Sequence, residues 1–262
     1  MFTLDKIIKN LEIKPEVDAV FSTGSYGTET YKPYSDLDLV IILKENSKGV
    51  RAVSTWIEDK FADIFFFDGD DLDRLFATKD YPANAWDAVL VSWLRKASVF
   101  FDKSKKLSKL IEKVKKLDNF SVSAKEQRDF WQKINYNLVA NERYFKSGNS
   151  LYHEALEMRL LYSVSELISG YFVLRNILWR GEKEAVKFLK QSAPDVYLLL
   201  QKYWRANNLV EHFNLYMELV DKVLTDDYGK WKKGDVIATL NNQELPVDDE
   251  SLKKFWDDLI QN

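Results

Sequence analysis

Two hydrophobic rhythms divide this chain. In the first part, short apolar runs alternate with stretches of helical spacing. The runs at residues 17–22, 37–43, 62–67 and 98–102 have strand length and predict four β-strands. Residues 37–43 are almost wholly apolar beyond Asp38, which predicts a strand covered on both faces. Helical spacing predicts helices over residues 4–11, 50–60, 71–76 and 83–96.

Past Leu117 the strand pattern stops. Phe130, Ile134, Leu138 and Phe145 form one helical stripe, and Leu156, Leu160, Leu167 and Tyr171 form another. Breaks at Ser147-Gly148-Asn149, Arg180-Gly181 and Pro194 cut the region into four or five helices of ordinary length. A looser stretch over 226–246 precedes a last helix at 248–260. Ser121 and Ser123 are candidate caps for the first helix of this half. The expected class is α+β: a mixed-sheet domain over 1–118 and an all-helical domain over 119–262.

Composition narrows the function classes. The chain has 262 residues, 46% of them hydrophobic and 14% aromatic, enough for two cores. No apolar stretch approaches the roughly 20 residues of a membrane span, and 30% of residues are charged. The N-terminal stretch lacks the pattern of a secretory signal. Cysteine is absent, which excludes disulfides and thiolate metal sites and is compatible with the expected cytoplasmic location. His153 and His212 are the only histidines and form no H-E-x-x-H pattern, so zinc is not expected. A net charge of −3 does not suit a protein that grips long nucleic acid. The lysine run from Lys103 to Lys116 reads as a solvated helix face or linker.

Three features of the first half carry candidate chemistry. Gly24-Ser25 follows a predicted strand, with Gly27 two residues on, and such a turn offers backbone N–H groups to a phosphate. Asp36 and Asp38 point to one side of the next strand, because strand side chains alternate. Asp63 is a lone carboxylate in the apolar run ADIFFF. If the two strands are neighbours, three carboxylates converge, and oxygen ligands of that kind suit Mg2+ together with substrate phosphates.

Gly24-Ser25, then Ser35-Asp36-Leu37-Asp38, then Asp63 in a following strand resembles the nucleotidyltransferase superfamily of DNA polymerase β type. The plan of a small catalytic domain followed by helices also resembles its antibiotic-modifying members, the kanamycin and lincosamide nucleotidyltransferases. The resemblance implies a nucleoside triphosphate, ATP or another, as co-substrate and Mg2+ as cofactor, expected as two ions. It implies metal binding by Asp36, Asp38 and Asp63, with Asp63 completing the second metal site or taking the proton from the acceptor hydroxyl. It implies nucleotide binding by Gly24, Ser25, Gly27 and Ser35, with Lys32 as a nearby cation. The implied acceptor is a small molecule, an aminoglycoside or lincosamide antibiotic, which would make the enzyme a resistance factor. A protein acceptor, as in nucleotidylylating antitoxin-type members, and a catalytically silent nucleotide-binding module are the alternatives. A homodimer is compatible with either.

One departure from the family pattern is Thr28-Glu29, where many relatives carry a basic residue and then glycine. In the second half, Asn137-x-x-x-Asn141 and Glu154-x-x-Glu157 each share a helix face and are candidates to line a cleft for a cationic acceptor. Glu142 and Glu157 are the candidate catalytic carboxylates there. Taken singly, each of these residues reads first as an exposed helix position.

Overall fold

A computed structural model describes residues 3–24, 35–78, 85–116, 122–235, 237 and 249–260. The chain separates into two compact units, Met1–Ser121 and Val122–Asn262.

The first unit is built on a five-stranded sheet. In chain order come α1 (Leu4–Glu12), β1 (Val17–Thr23), β2 (Leu37–Leu43), β3 (Ala52–Ile57) and β4 (Lys60–Asp68). They are followed by α2 (Gly69–Ala77), α3 (Ala85–Leu94), β5 (Ser98–Asp102) and α4 (Lys106–Lys115). The strand order is β3-β4-β2-β1-β5. Strands β2 and β4 run parallel, and the other pairs are antiparallel.

Alternation along β2 explains the two faces. Leu37 and Leu39 join Leu4, Ile57 and Ala62 in a cluster with Ile7 and Ile8 of α1. Val40 and Ile42 point the other way, into the larger core with Phe67, Leu72, Leu90 and Leu110. Both faces are covered, and Leu39 through Ile42 are all buried, as the apolar run predicts. Asp68 starts α2 through a reciprocal capping box with Asp71.

Residues 50–60 correct a sequence expectation. They form no helix: β3 pairs with β4 through a two-residue turn, Glu58 and Asp59, at φ 51° and 65°. Left-handed values at both positions suit a tight hairpin turn. Val53, Thr55 and Ile57 are β-branched at alternate positions, which favours the strand.

The lysine run falls mainly on α4, which buries Leu107, Leu110, Ile111 and Val114 against the sheet's core. Its basic groups tie the unit together. The Lys103 ammonium donates to the Lys14 and Val17 carbonyls, at 2.6 Å each. Lys113 donates to the Phe76 and Thr78 carbonyls, and Lys106 pairs with Asp73.

The second unit is helical: α5 (Ala124–Lys146), α6 (Ser150–Leu174), α7 (Glu182–Ser192), α8 (Pro194–Arg205), α9 (Leu209–Val223) and α10 (Asp249–Ile260). Ser123 caps α5, and its hydroxyl oxygen accepts from the Glu126 amide. Leu138, Leu156, Leu167, Leu200 and Leu219 belong to one continuous core. Gly170 allows α5 to lie close against α6, because a Cβ there would stand 2.5 Å from the Ile134 Cδ1. No helix among the described residues is long and apolar enough to cross a membrane.

Candidate active site

One row of residues runs across four strands on the face that carries the larger core. Thr23 of β1 stands opposite Asp38 of β2. Asp38 stands opposite Asp63 of β4, and Asp63 opposite Ser54 of β3. Directly paired residues share a face, so two carboxylates sit side by side between a threonine and a serine. The next row on that face is Phe21, Val40, Phe65 and Ala52. Phe65 and Phe67 lie 4.5 Å and 6.4 Å from the Trp93 ring. The acids therefore occupy the rim of the sheet, one row beyond its aromatic core.

This register answers why ADIFFF tolerates a charge. Asp63, Phe65 and Phe67 alternate onto the core face, and Asp63 is the member that reaches the rim, where it is half-buried. Its Oδ1 accepts a hydrogen bond from the Ser54 hydroxyl at 2.5 Å. Ser54 is a site neighbour that sequence reading missed. The hairpin alternation of 52–57 was the available signal, hidden by the helical reading of 50–60.

Asp38 is half-buried between the buried Leu37 and Leu39. Gly24 closes its other side. That glycine has φ +73°, and a Cβ on it would meet the Asp38 Oδ2 at 2.5 Å. Both the left-handed backbone and the close approach require glycine. The end of β1 is thus held against a carboxylate by the one residue that fits there.

Asp36 and Ser35 directly precede β2 and are half-buried. The structure sets Asp38 and Asp63 together, with Asp36 two residues before Asp38. Among the described residues, no group of three or more His, Cys, Asp or Glu side chains is gathered to hold a metal ion. Ser25, Gly27 and Lys32, together with Thr28 and Glu29, lie outside the described residues.

The donor chemistry fits a hard divalent cation. Two adjacent carboxylates at a half-buried rim supply oxygen ligands, and Mg2+ ordinarily completes its shell with water and substrate phosphates. Other buried acids of this unit already serve the fold. Asp87 pairs with Arg74 at 2.6 Å, Asp18 accepts from the Ser104 hydroxyl at 2.5 Å, and Asp102 accepts from the Ser108 amide and hydroxyl.

In the helical unit the expected polar residues separate into two groups. Asn137 and Asn141 share a face, but it is an inner one. Asn141 donates to the Ser163 hydroxyl at 3.1 Å and accepts from the Arg159 Nε at 2.7 Å. Asn137 accepts from Arg159 at 3.0 Å and donates to Glu166 at 2.7 Å. Burial pushes the nearby Tyr216 phenol up, against a lowering hydrogen bond with Asn141. Glu142 is half-buried and pairs with Lys146 at 2.9 Å, one helical turn on. Glu157 is exposed and lines a cavity with Glu154. His153 contacts the Phe145 carbonyl at 3.1 Å, and His212 lies 4.8 Å from the Tyr203 ring.

Comparison with known proteins adds a family. Residues 4–145 match the model of the nucleotidyltransferase domain, more than half of the 262-residue chain. No curated protein matches. Among solved structures, a nucleotidyltransferase-like protein from Exiguobacterium sibiricum is similar, at 15% identity and a TM-score of 0.42. That likeness covers 84% of this chain and 72% of the other.

Proposed function

The chain belongs to the nucleotidyltransferase domain family, and from that premise we propose that it moves a nucleoside monophosphate from a triphosphate to a hydroxyl of a small-molecule acceptor, releasing pyrophosphate. The observation that carries this reading is the pairing of Asp38 with Asp63 across parallel strands, with Gly24 pressed against the Asp38 carboxylate.

Each residue has a task in this reading. Asp38 and Asp63, with Asp36 two residues before Asp38, would hold Mg2+ and so set the triphosphate at the sheet rim. When bound there, Mg2+ neutralises phosphate charge and stabilises the displacement. Gly24 and Ser25 offer backbone N–H groups and a hydroxyl to the phosphates, and Gly27, Ser35 and Lys32 extend that cradle. Asp63 completes the metal site or takes the acceptor's proton, with the Ser54 hydroxyl fixing its orientation. An aminoglycoside- or lincosamide-type compound is the acceptor class to test first, and a role in antibiotic resistance would follow from it.

The test is label transfer from radiolabelled ATP or GTP, with Mg2+, to a panel of such compounds. Transfer that requires Mg2+ and disappears in Asp38→Asn supports the reading. Label on protein instead of small molecule redirects the acceptor assignment. Unchanged transfer in Asp38→Asn would overturn the site.

A further inference from the structure

Two cavities adjoin along α6 and α8, one extending to α7 and the other to α9. One, of about 300 Å3, is walled by Leu161, Val164, Ile168, Leu189, Trp179 and Trp204. The other, of about 460 Å3, shares Leu161, Tyr203 and Trp204 with the first and adds Glu154, Glu157 and His212. Leu161 is 75% exposed and Trp204 56% exposed where the cavities meet. Large apolar side chains open to water and grouped beside a concave surface are a candidate binding site.

The charge on this surface has one sign. Glu182 lines the first cavity, Glu154 and Glu157 line the second, and among the described residues no lysine or arginine lines either. The whole chain is nearly balanced, with 38 basic and 41 acidic residues, so a lining of three carboxylates without a cation is a local bias. Glu154, Glu157 and Leu161 follow at helical spacing on α6, which carries the acids alongside the apolar wall. Tyr203, Trp179 and Trp204 add ring faces, which attract cations.

The chain's own amphipathic helix does not match. α10 exposes Phe255 and Leu259, but it carries Asp249, Glu250, Asp257 and Asp258 against only Lys253 and Lys254. Its net charge has the same sign as the surface.

We propose that the paired cavities bind an amphipathic organic cation, with its apolar or aromatic body against Leu161, Tyr203 and Trp204, where the cavities meet, and its ammonium group at Glu154 and Glu157. The site belongs to the helical unit and stands whether or not the carboxylate row of the first unit transfers nucleotides.

Three probes with one apolar body test it on the full chain: 4-phenylbutylamine, 4-phenylbutanol and 4-phenylbutyrate, titrated by calorimetry at neutral pH. The amine is expected to bind about tenfold more tightly than the alcohol, the size of one favourable charge contact, and the carboxylate more weakly than both. Glu154→Gln combined with Glu157→Gln removes the amine's advantage and leaves the alcohol unchanged. Leu161→Arg abolishes binding of both while leaving the melting temperature in place, since Leu161 is exposed. Asp38→Asn leaves the amine's affinity unchanged. Equal binding of all three probes, no binding of any, survival of binding in Leu161→Arg, or its loss in Asp38→Asn would each overturn the proposal.

Discussion

In the helical unit, Arg159 donates to Asn137 and Asn141, and Asn137 in turn donates to Glu166, so a cation and an anion are joined through the Asn137 amide. In the sheet unit, the polar row sets Asp38 opposite Asp63 with Thr23 and Ser54 at its ends, and the row itself contains no cation. The first arrangement joins opposite charges and holds helices together. The second sets two carboxylates side by side, a geometry that a bound cation favours. Polar residues in an apolar setting thus teach different things according to the signs they bring together. A network of opposite charges reads as architecture, and a pair of like charges at a sheet rim reads as a place for a ligand.

The sharpest way to break this comparison is to neutralise each side. Asp38→Asn is expected to lower nucleotide transfer by about a thousandfold. The melting temperature should hold, because Asn keeps the size of Asp at a half-buried rim position. Initial rates and thermal melts on the same samples measure both. Arg159→Ala should do the reverse. Loss of its charged hydrogen bonds and of its contacts with the Tyr144 and Tyr162 rings, 5.5 Å away each, is expected to cost about 2 kcal/mol of stability. Urea denaturation would measure it.

Gly24→Ala probes the close approach. Strain at φ +73° and the collision with Asp38 are expected to cost about 1–2 kcal/mol. Part of that cost should return when Asp38→Ala removes the carboxylate, and a double-mutant cycle by chemical denaturation reads the coupling. The smallest effect is expected for Ser54→Ala. Loss of one exposed hydrogen bond to Asp63 costs about 1 kcal/mol or less. A few-fold fall in transfer rate should accompany it, from looser orientation of Asp63.

Much of this was legible in the sequence, for identifiable reasons. Residues 37–43 and 98–102 are strands with the expected bounds, because a dense apolar run of that length bounded by polar residues has few other solutions. The proximity of Asp38 and Asp63 rested on one assumption, that their strands are neighbours, and the parallel β2–β4 ladder supplies it. β3 was misread because it is an edge strand. Ala52, Val53 and Ser54 are exposed, so burial did not print a clean alternation. Its turn, Glu58-Asp59, lacks the glycine that usually announces a tight hairpin. That error concealed Ser54. The inward turn of Asn137 and Asn141 was concealed for another reason. Asparagine is ordinarily a surface residue, and its burial here is explained by partners distant in sequence: Arg159, eighteen positions beyond Asn141, with Ser163 and Glu166.

The account stands or falls on whether the paired carboxylates receive a nucleotide's metal. The direct measurement is calorimetric titration of the full chain with a non-hydrolysable nucleoside triphosphate, with and without Mg2+, in the native protein and in Asp38→Asn. Binding that requires Mg2+ in the native protein and vanishes in Asp38→Asn is the predicted result. Equal binding without Mg2+, or undiminished Mg2+-dependent binding in Asp38→Asn, would contradict it.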